Sequence, residues 1–562
     1  MTLTALDPGR FGVIAASSRW AAERFLASRG VEARLLLTGA ELARLGTGLR
    51  ARIQEAGIET LALHSTAWRR QPHPQLYEVA LALAPVRRRL VVDEELDEVE
   101  VVSRGSLLRS LSIAPAEVLA GAGLASAEAV RHLSGVRAGG AQEAATGGMP
   151  GAKPSVLAIW RGSLESRVGG SVTHISGILG GFRRKGFHVS LVTAVQPAAQ
   201  VARVVDETTV TAPLGPGARL TADLERITAN RPLRLSALAA GRRRPPAFVY
   251  QRHDFCARSG IDAARCLGRP LVLEWNSSEV WARNNWRSSG PFAWAKTRLI
   301  DPLAVSIERE VAQRADLVAA VSERAAEMAV EAGAPAERVL VVPNGVDVSA
   351  VPPPRWPVPR RSSGEAVVGW IGSFGPWHGA DVLIRSLLSL PLGIRLLLVG
   401  DGIGKPACEA LAAALGVAER IEWTGRVPNE IALRRLSECD VLASPHVPLA
   451  DTPFFGSPTK IFEYMALGRP IVASSLEQLS QVLEDARTAR LVRPGSPEEL
   501  AVAISSVLSL PDRGRQLGEQ ARAEAMERHG WETRAAAIVD RLAAAGHLLD
   551  DGRYESVTAR AS

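Results

Sequence analysis

The chain predicts an α/β protein built from doubly wound, largely parallel sheets. Three observations carry this. Short apolar runs alternate with amphipathic helical patterns along nearly the whole sequence. The alternation is broken twice, by the Gly/Ala-rich "SGVRAGGAQEAATGGMPGAKP" and by the proline-rich "PPPRWPVPRRSSGE". The length of 562 residues exceeds what one core holds, so the two breaks separate three domains.

In the first block, residues 1–135, the strands are "FGVIAAS", "ARLLLTG", "IETLALHS" and "RRLVVDE". Helical patterns such as "RWAAERFLASRG" lie between them, which makes a small parallel sheet. Residues 136–153 have no apolar period and read as a flexible linker. The second block, 154–350, opens with the strand "SVLAIW", a glycine-bearing loop and a helix from about Ser171 to Lys185. It continues through "HVSLVTA", "AFVYQRH", "PLVLEWN", "ADLVAAVS" and "RVLVVPNGVD". The third block, 363–520, holds six strands: "AVVGWIGS", "IRLLLVGD", "RIEWTG", "CDVLASP", "PIVASS" and "ARLVRPG". Short buried strands of this kind, each followed by a helix, make a doubly wound sheet. Helices occupy 521–546, ending in "WETRAAAIVDRLAAAG".

Composition narrows the function. Hydrophobic residues are 46% and charged residues 22%, the balance of a soluble globular protein. The net charge of +7 suits an anionic substrate or peripheral contact with an anionic membrane surface. It does not call for nucleic acid, and no nucleic-acid-binding signature stands out. Cys256, Cys266, Cys408 and Cys439 show no metal-ligand spacing and fit a reducing compartment. The opening "MTLTALDPGRFG" shows no basic n-region followed by an apolar core, so no signal peptide is expected, and no apolar run reaches the ~18 residues of a membrane span. The expected place is the cytoplasm, with the inner face of the membrane open to it.

Ligands of doubly wound sheets bind at the carboxyl ends of the strands. Three strand-to-helix loops could serve there. "RVGGS" offers Gly169 and Gly170, whose backbone could approach a phosphate, although a Gly-Gly turn serves structure as readily. "GSFGPWHGAD" offers Ser373, Trp377 and His378, which pack on a ligand or cover the loop. In "GSPTKIFEYM", Ser457 reads as N-cap and Pro458 as the first helical residue. Lys460 then lies in the first turn, where the helix dipole disfavours a cation, and Glu463 follows on the same face. Either an anion belongs there or the two residues form a surface ion pair. "GDGIG" (Gly400 to Gly404) is short of a dinucleotide fingerprint.

Residues 154–546 resemble a family 4 glycosyltransferase of the GT-B fold, two Rossmann-like domains facing a cleft. The elements that carry the resemblance come in order: "GGSVTH", "ADLVAAVSE", "VVPNGVD", "GWIGSFGPWHGADVLI", "LLLVGDG", "WTGRVP", "DVLASP" and "SPTKIFEYMALGRPIVAS". The resemblance implies retaining transfer from a nucleoside-diphosphate sugar to a glycan, lipid-linked or small-molecule acceptor. No cofactor and no metal are implied. The diphosphate would lie on Lys460 and the amides of Thr459 and Lys460, beside Ser457. Glu463 matches the second glutamate of the family's Glu-x7-Glu motif and would hold the ribose. The final helix would cross back to the second block.

The sequence departs from that pattern at named positions. The first glutamate of the motif is Phe455. The arginine and lysine of the family's Gly-Arg…Lys-Gly loop fall at Ser373 and His378. The usual catalytic-region histidine falls at Asn276 in "LEWNSSE", while His174 either faces the cleft or packs its helix. Two rivals stay open: a nucleotide-sugar epimerase of the same fold, and a non-catalytic sugar-nucleotide-binding protein.

Overall fold

The structure, a computed structural model, describes residues 6–548 apart from 17–18, 46–47, 67, 69–73, 95–97, 106, 108–121, 131, 133–152, 163–168, 215–221, 287–299, 357–364 and 449–453. The linker read at 136–153 lies almost wholly outside the described residues.

Three sheets follow the three blocks. The first contains β1 (Phe11–Ala15), β2 (Leu35–Thr38), β3 (Thr60–Ser65), β4 (Arg88–Asp93) and β5 (Glu98–Val101), in the order β2-β1-β3-β4-β5. The first four run parallel, and β5 turns back antiparallel on β4. The sequence reading missed β5, whose residues are mostly exposed and carry no buried apolar face.

The second sheet contains β6 (Ser155–Ile159), β7 (His188–Thr193), β8 (Glu207–Val210), β9 (Phe248–Arg252), β10 (Leu271–Trp275), β11 (Leu317–Ala320) and β12 (Val339–Val341). All are parallel, in the order β12-β11-β10-β9-β6-β7-β8. The third contains β13 (Ala366–Ile371), β14 (Ile394–Val399), β15 (Ile421–Gly425), β16 (Val441–Ser444), β17 (Ile471–Ser474) and β18 (Arg490–Val492), again parallel, in the order β15-β14-β13-β16-β17-β18. The central strands are buried along their length because helices cover both faces, which is why they read as unbroken apolar runs. Strand order reverses at β6/β9 and at β13/β16, and crevices open at such points.

The last two helices carry the chain from the third block back to the second. Arg515–Arg528 packs on Thr459–Leu467, with Ala521 and Ala525 in the third block's core. Trp531–Ala544 then crosses to the second block and packs on Gly170–Arg184. The glycines of the latter helix permit that approach. A Cβ on Gly177 would lie 2.1 Å from Trp531 Cε2, and one on Gly181 2.5 Å from the Trp531 carbonyl oxygen. The outgoing and returning segments run side by side, with the Val346 N–H donating to the His529 carbonyl at 2.9 Å.

The first block is tied to the second through His132. Its Nε2 lies 2.8 Å from Ser306 Oγ, and its Nδ1 lies 2.7 Å from Glu310 Oε2 and 2.7 Å from Arg258 Nη1.

Candidate active site

The carboxyl ends of the second and third sheets face one another across a cleft of about 390 Å³. From the third block come Ser373, His378, Ser457, Thr459, Lys460 and Glu463. From the second come Gly169, Gly170, His174, Arg252, Asn276 and Asn344. All nine positions singled out from the sequence as donor-binding or catalytic line this one space.

The start of Thr459–Leu467 differs from the sequence reading. Pro458, with extended φ −67 and ψ 117, is the N-cap, and no side chain caps the helix. Ser457 lies one residue outside, and its Oγ accepts from the Asn344 N–H at 3.0 Å. The serine is turned toward the neighbouring domain, so the first-turn amides stay open to an anion.

Lys460 and Glu463 are not a surface pair. They are 7% and 6% exposed and form no ion pair with each other. Lys460 Nζ donates to the Ile371 carbonyl at 3.1 Å and lies 5.0 Å from the centre of the Trp370 ring. Burial pulls its pKa down to about 7. Glu463 Oε1 accepts from Asn429 Nδ2 at 3.1 Å, and burial pushes its pKa up to about 7. Both groups are therefore poised to gain an anionic or hydroxyl partner.

Beside Lys460, His378 Nδ1 accepts from the Gly375 N–H at 3.3 Å and lies 3.4 Å from the exposed Ser373 Oγ. Its pKa falls to about 3, first through burial and then through Lys460. The sequence reading missed His446. Its buried ring is 5.6 Å from that of His378, its Nδ1 is 2.9 Å from Ser444 Oγ, and burial followed by Lys460 holds it well below the usual histidine range. Its place just beyond β16, at the switch point, was the available signal. Arg426 and Asn429, after β15, were missed in the same way.

"GDGIG" has a structural explanation. A Cβ on Gly400 would lie 2.0 Å from the Gly372 carbonyl oxygen, and one on Gly402 1.6 Å from that of Ser373. The glycines let the 372–374 loop pass, and Phe374 takes a left-handed φ of 52 there.

On the opposite wall, His174 both lines the cleft and packs edge-on against Trp531, ring centres 5.2 Å apart. Asn276 Nδ2 donates to Glu274 Oε1 at 2.6 Å. Phe455, where the family carries its first glutamate, makes a bridge between domains. Its ring meets Trp281 at 5.0 Å, and its carbonyl accepts from Ser322 Oγ at 2.6 Å. Among the described residues no group of three His, Cys, Asp or Glu could hold a metal ion, and no helix is long and apolar enough to cross a membrane.

Two doubly wound domains facing a cleft, with a final helix that returns to the first of them, define the GT-B architecture. Residues 169–345 match the family described as "Glycosyl transferase 4-like domain", and residues 365–509 match "Glycosyl transferases group 1". These two glycosyltransferase domains, in tandem, cover more than half of the chain.

Among its relatives are a D-inositol 3-phosphate glycosyltransferase of Nocardia farcinica, 29% identical over 42% of this chain and 54% of the relative, and one of Xylanimonas cellulosilytica, 31% identical over 42% and 58%. The matches thus span little more than half the length of these curated relatives. An MMP alpha-(1->4)-mannosyltransferase of Mycolicibacterium hassiacum is 26% identical over 55% of this chain and 72% of its own. In fold the chain is similar to Anabaena HepE, solved with UDP and glucose, with a TM-score of 0.52 and 20% identity over 69% of this chain and 99% of that one.

Proposed function

We propose that the protein transfers a sugar from a nucleoside-diphosphate sugar to an acceptor hydroxyl, with retention at the anomeric carbon. The observation that carries this is a buried lysine held above an uncapped helix start, with a buried glutamate one turn further along the same face. Burying a cation there without an anionic partner is costly, and a diphosphate supplies the partner. Lys460 and the amides of Thr459 and Lys460 would stabilise the charge that develops on the leaving diphosphate. Glu463, supported by Asn429, would accept from the ribose hydroxyls. Gly169 and Gly170 allow close approach from the opposite side, and a Cβ on Gly170 would lie 3.3 Å from Thr459 Oγ1. Ser373 and His378 edge the same space, and the side chain of Asn276 faces it from the acceptor wall. The acceptor hydroxyl would attack from the face the diphosphate leaves, so no protein nucleophile is required.

With Lys460 and the helix start carrying the countercharge, the reaction is proposed to need no divalent metal. The acceptor is a glycan, a lipid-linked sugar or a small molecule, met in the cytoplasm or at the inner membrane face. The test is a mass-spectrometric screen of a panel of nucleoside-diphosphate sugars, including UDP-glucose and GDP-mannose, against acceptor pools. A sugar-bearing product supports transfer. Turnover of the free donor to an isomer supports the epimerase, and tight donor binding without turnover supports a binding protein.

A further inference from the structure

The wall opposite Lys460 is organised by a carboxylate that itself borders no open space. Glu274, at the carboxyl end of β10, is 1% exposed. Its Oε1 accepts from Arg252 Nη1 at 2.7 Å and Asn276 Nδ2 at 2.6 Å, and lies 3.0 Å from His174 Nε2. Its Oε2 accepts from the Tyr250 hydroxyl at 2.7 Å. Burial pushes its pKa up, but Arg252 and then His174 more than offset this and hold the carboxyl well below its usual range.

An ionised carboxylate only accepts hydrogen bonds, so each partner must turn a donor toward it. The orientation of the Asn276 amide follows. Its NH2 group is committed to Glu274, which leaves Oδ1 as the group Asn276 can offer to the cleft it lines. Arg252 is tethered by one guanidinium nitrogen and lines the same cleft. The network continues through His174, whose Nδ1 meets Asn344 Oδ1. Asn344 in turn donates its backbone N–H to Ser457 Oγ and its Nδ2 to the Ser457 carbonyl, just before the donor helix.

We propose that Glu274 is a positioning residue for sugar transfer. It turns the Asn276 oxygen and the Arg252 guanidinium toward the reacting sugar and, through His174 and Asn344, fixes that wall against the donor helix. The proposal rests on the transferase reading above. A sugar or acceptor hydroxyl donating to Asn276 Oδ1 is the contact this arrangement selects. In Glu274→Gln the side-chain volume is kept, but an NH2 group replaces one acceptor. Asn276 or one of its neighbours then loses its partner, and the amide is free to flip.

The experiment uses the full chain with UDP-glucose, GDP-mannose and the rest of the donor panel. It follows nucleotide release, with UDP and GDP affinity measured by calorimetry. Glu274→Gln is expected to lower kcat by about 10- to 100-fold, the usual cost of misplacing reacting groups by about an ångström. Nucleotide Kd should stay within about twofold, because the proposed ribose and diphosphate side-chain contacts, Glu463 and Lys460, lie on the other domain. Asn276→Ala, at a half-buried position, should lose a similar factor with its melting temperature checked beside wild type. The double variant should lose no more than either, since both changes remove one arrangement. Wild-type kcat in Glu274→Gln, or losses that multiply in the double variant, would overturn the proposal alone. So would a fall in kcat matched by equal losses in nucleotide affinity and melting temperature, which marks general damage. A wild-type protein inert with the whole donor panel would overturn the transferase reading as well.

Discussion

Lys460 is held in a place that costs the free protein stability, and the sign of that cost is testable. Burial lowers its pKa from 10.5 to about 7, so between those values the unfolded chain binds a proton that the folded chain does not. Stability attributable to this residue is lowest at and below pH 7 and rises toward about pH 10.5. Lys460→Met should therefore melt higher than wild type at pH 7, by on the order of a few kcal/mol, with the gain shrinking as pH rises. Its turnover should fall about a hundredfold through lost diphosphate stabilisation. Melting curves from pH 6 to about 10 and steady-state rates decide both halves. Glu463 has the opposite sign. Its folded pKa is raised from 4.5 to about 7, so stability falls as pH climbs through that window. Glu463→Gln should be steadier than wild type above pH 7 yet bind UDP or GDP more weakly, by about 1–3 kcal/mol in calorimetry. The sequence showed that Lys460 and Glu463 share a helix face, but not that both are buried, because burial depends on Trp370, Ile371 and Asn429 from distant segments. Glu274 was invisible for a related reason. Its partners come from three places: Tyr250 and Arg252 from the paired strand β9, His174 from the helix Gly170–Arg184, and Asn276 from the loop after β10.

At the scale of elements, apolar runs identified the central strands and also the edge strands β2, β12, β15 and β18, and passed over only the two edge strands that lack such a run. β8 reads Glu-Thr-Thr-Val and β5 reads Glu-Val-Glu-Val, so neither presents an apolar run, and only pairing with β7 and β4 makes them strands. The Gly-Gly-x-x-x-x-x-x-Gly pattern of Gly170–Arg184 carried a further message, legible only once the partner helix is known. Gly177 lies under the Trp531 indole, with no room for a methyl group. Gly177→Ala must displace that ring or the helix behind it. It should destabilise the protein by about 1–3 kcal/mol, despite the better helix propensity of alanine. Urea denaturation followed by tryptophan fluorescence measures this, and an unchanged or raised midpoint would show that the final helix is not locked in this packing.

Across the whole molecule, the contacts that bridge the cleft between described residues include Asn344 to Ser457, Ser322 to the Phe455 carbonyl, the Trp281–Phe455 ring pair and an exposed Arg203–Glu430 ion pair at 3.6 Å. Local bridges of this kind suit a hinge, and the paired crossing at Val346 and His529 is its natural pivot. Saturating UDP or GDP should reduce the radius of gyration in small-angle scattering, and no change would indicate a rigid cleft. The first block stands apart from this motion. It has its own sheet and two cores of its own, and none of its described residues lines the cleft. Its attachment is specific, however. His132 lies between Ser306, Arg258 and Glu310, and Arg258 also pairs with Asp262 at 3.1 Å. Where the chain is cut should therefore matter more than whether it is cut. Removing residues 1–121 leaves the helix at 122–130 and His132 docked, so nucleotide affinity should stay within about threefold of wild type, as expected for a distant, independent site. Extending the deletion through residue 132 strips a partner from partly buried Glu310 and buried Arg258, and should lower stability by about 1–3 kcal/mol while sparing the cleft. Calorimetry with UDP and GDP, beside melting curves of both deletions, separates the two effects. Loss of nucleotide affinity in a folded 122–562 protein would instead place the first block within the donor site.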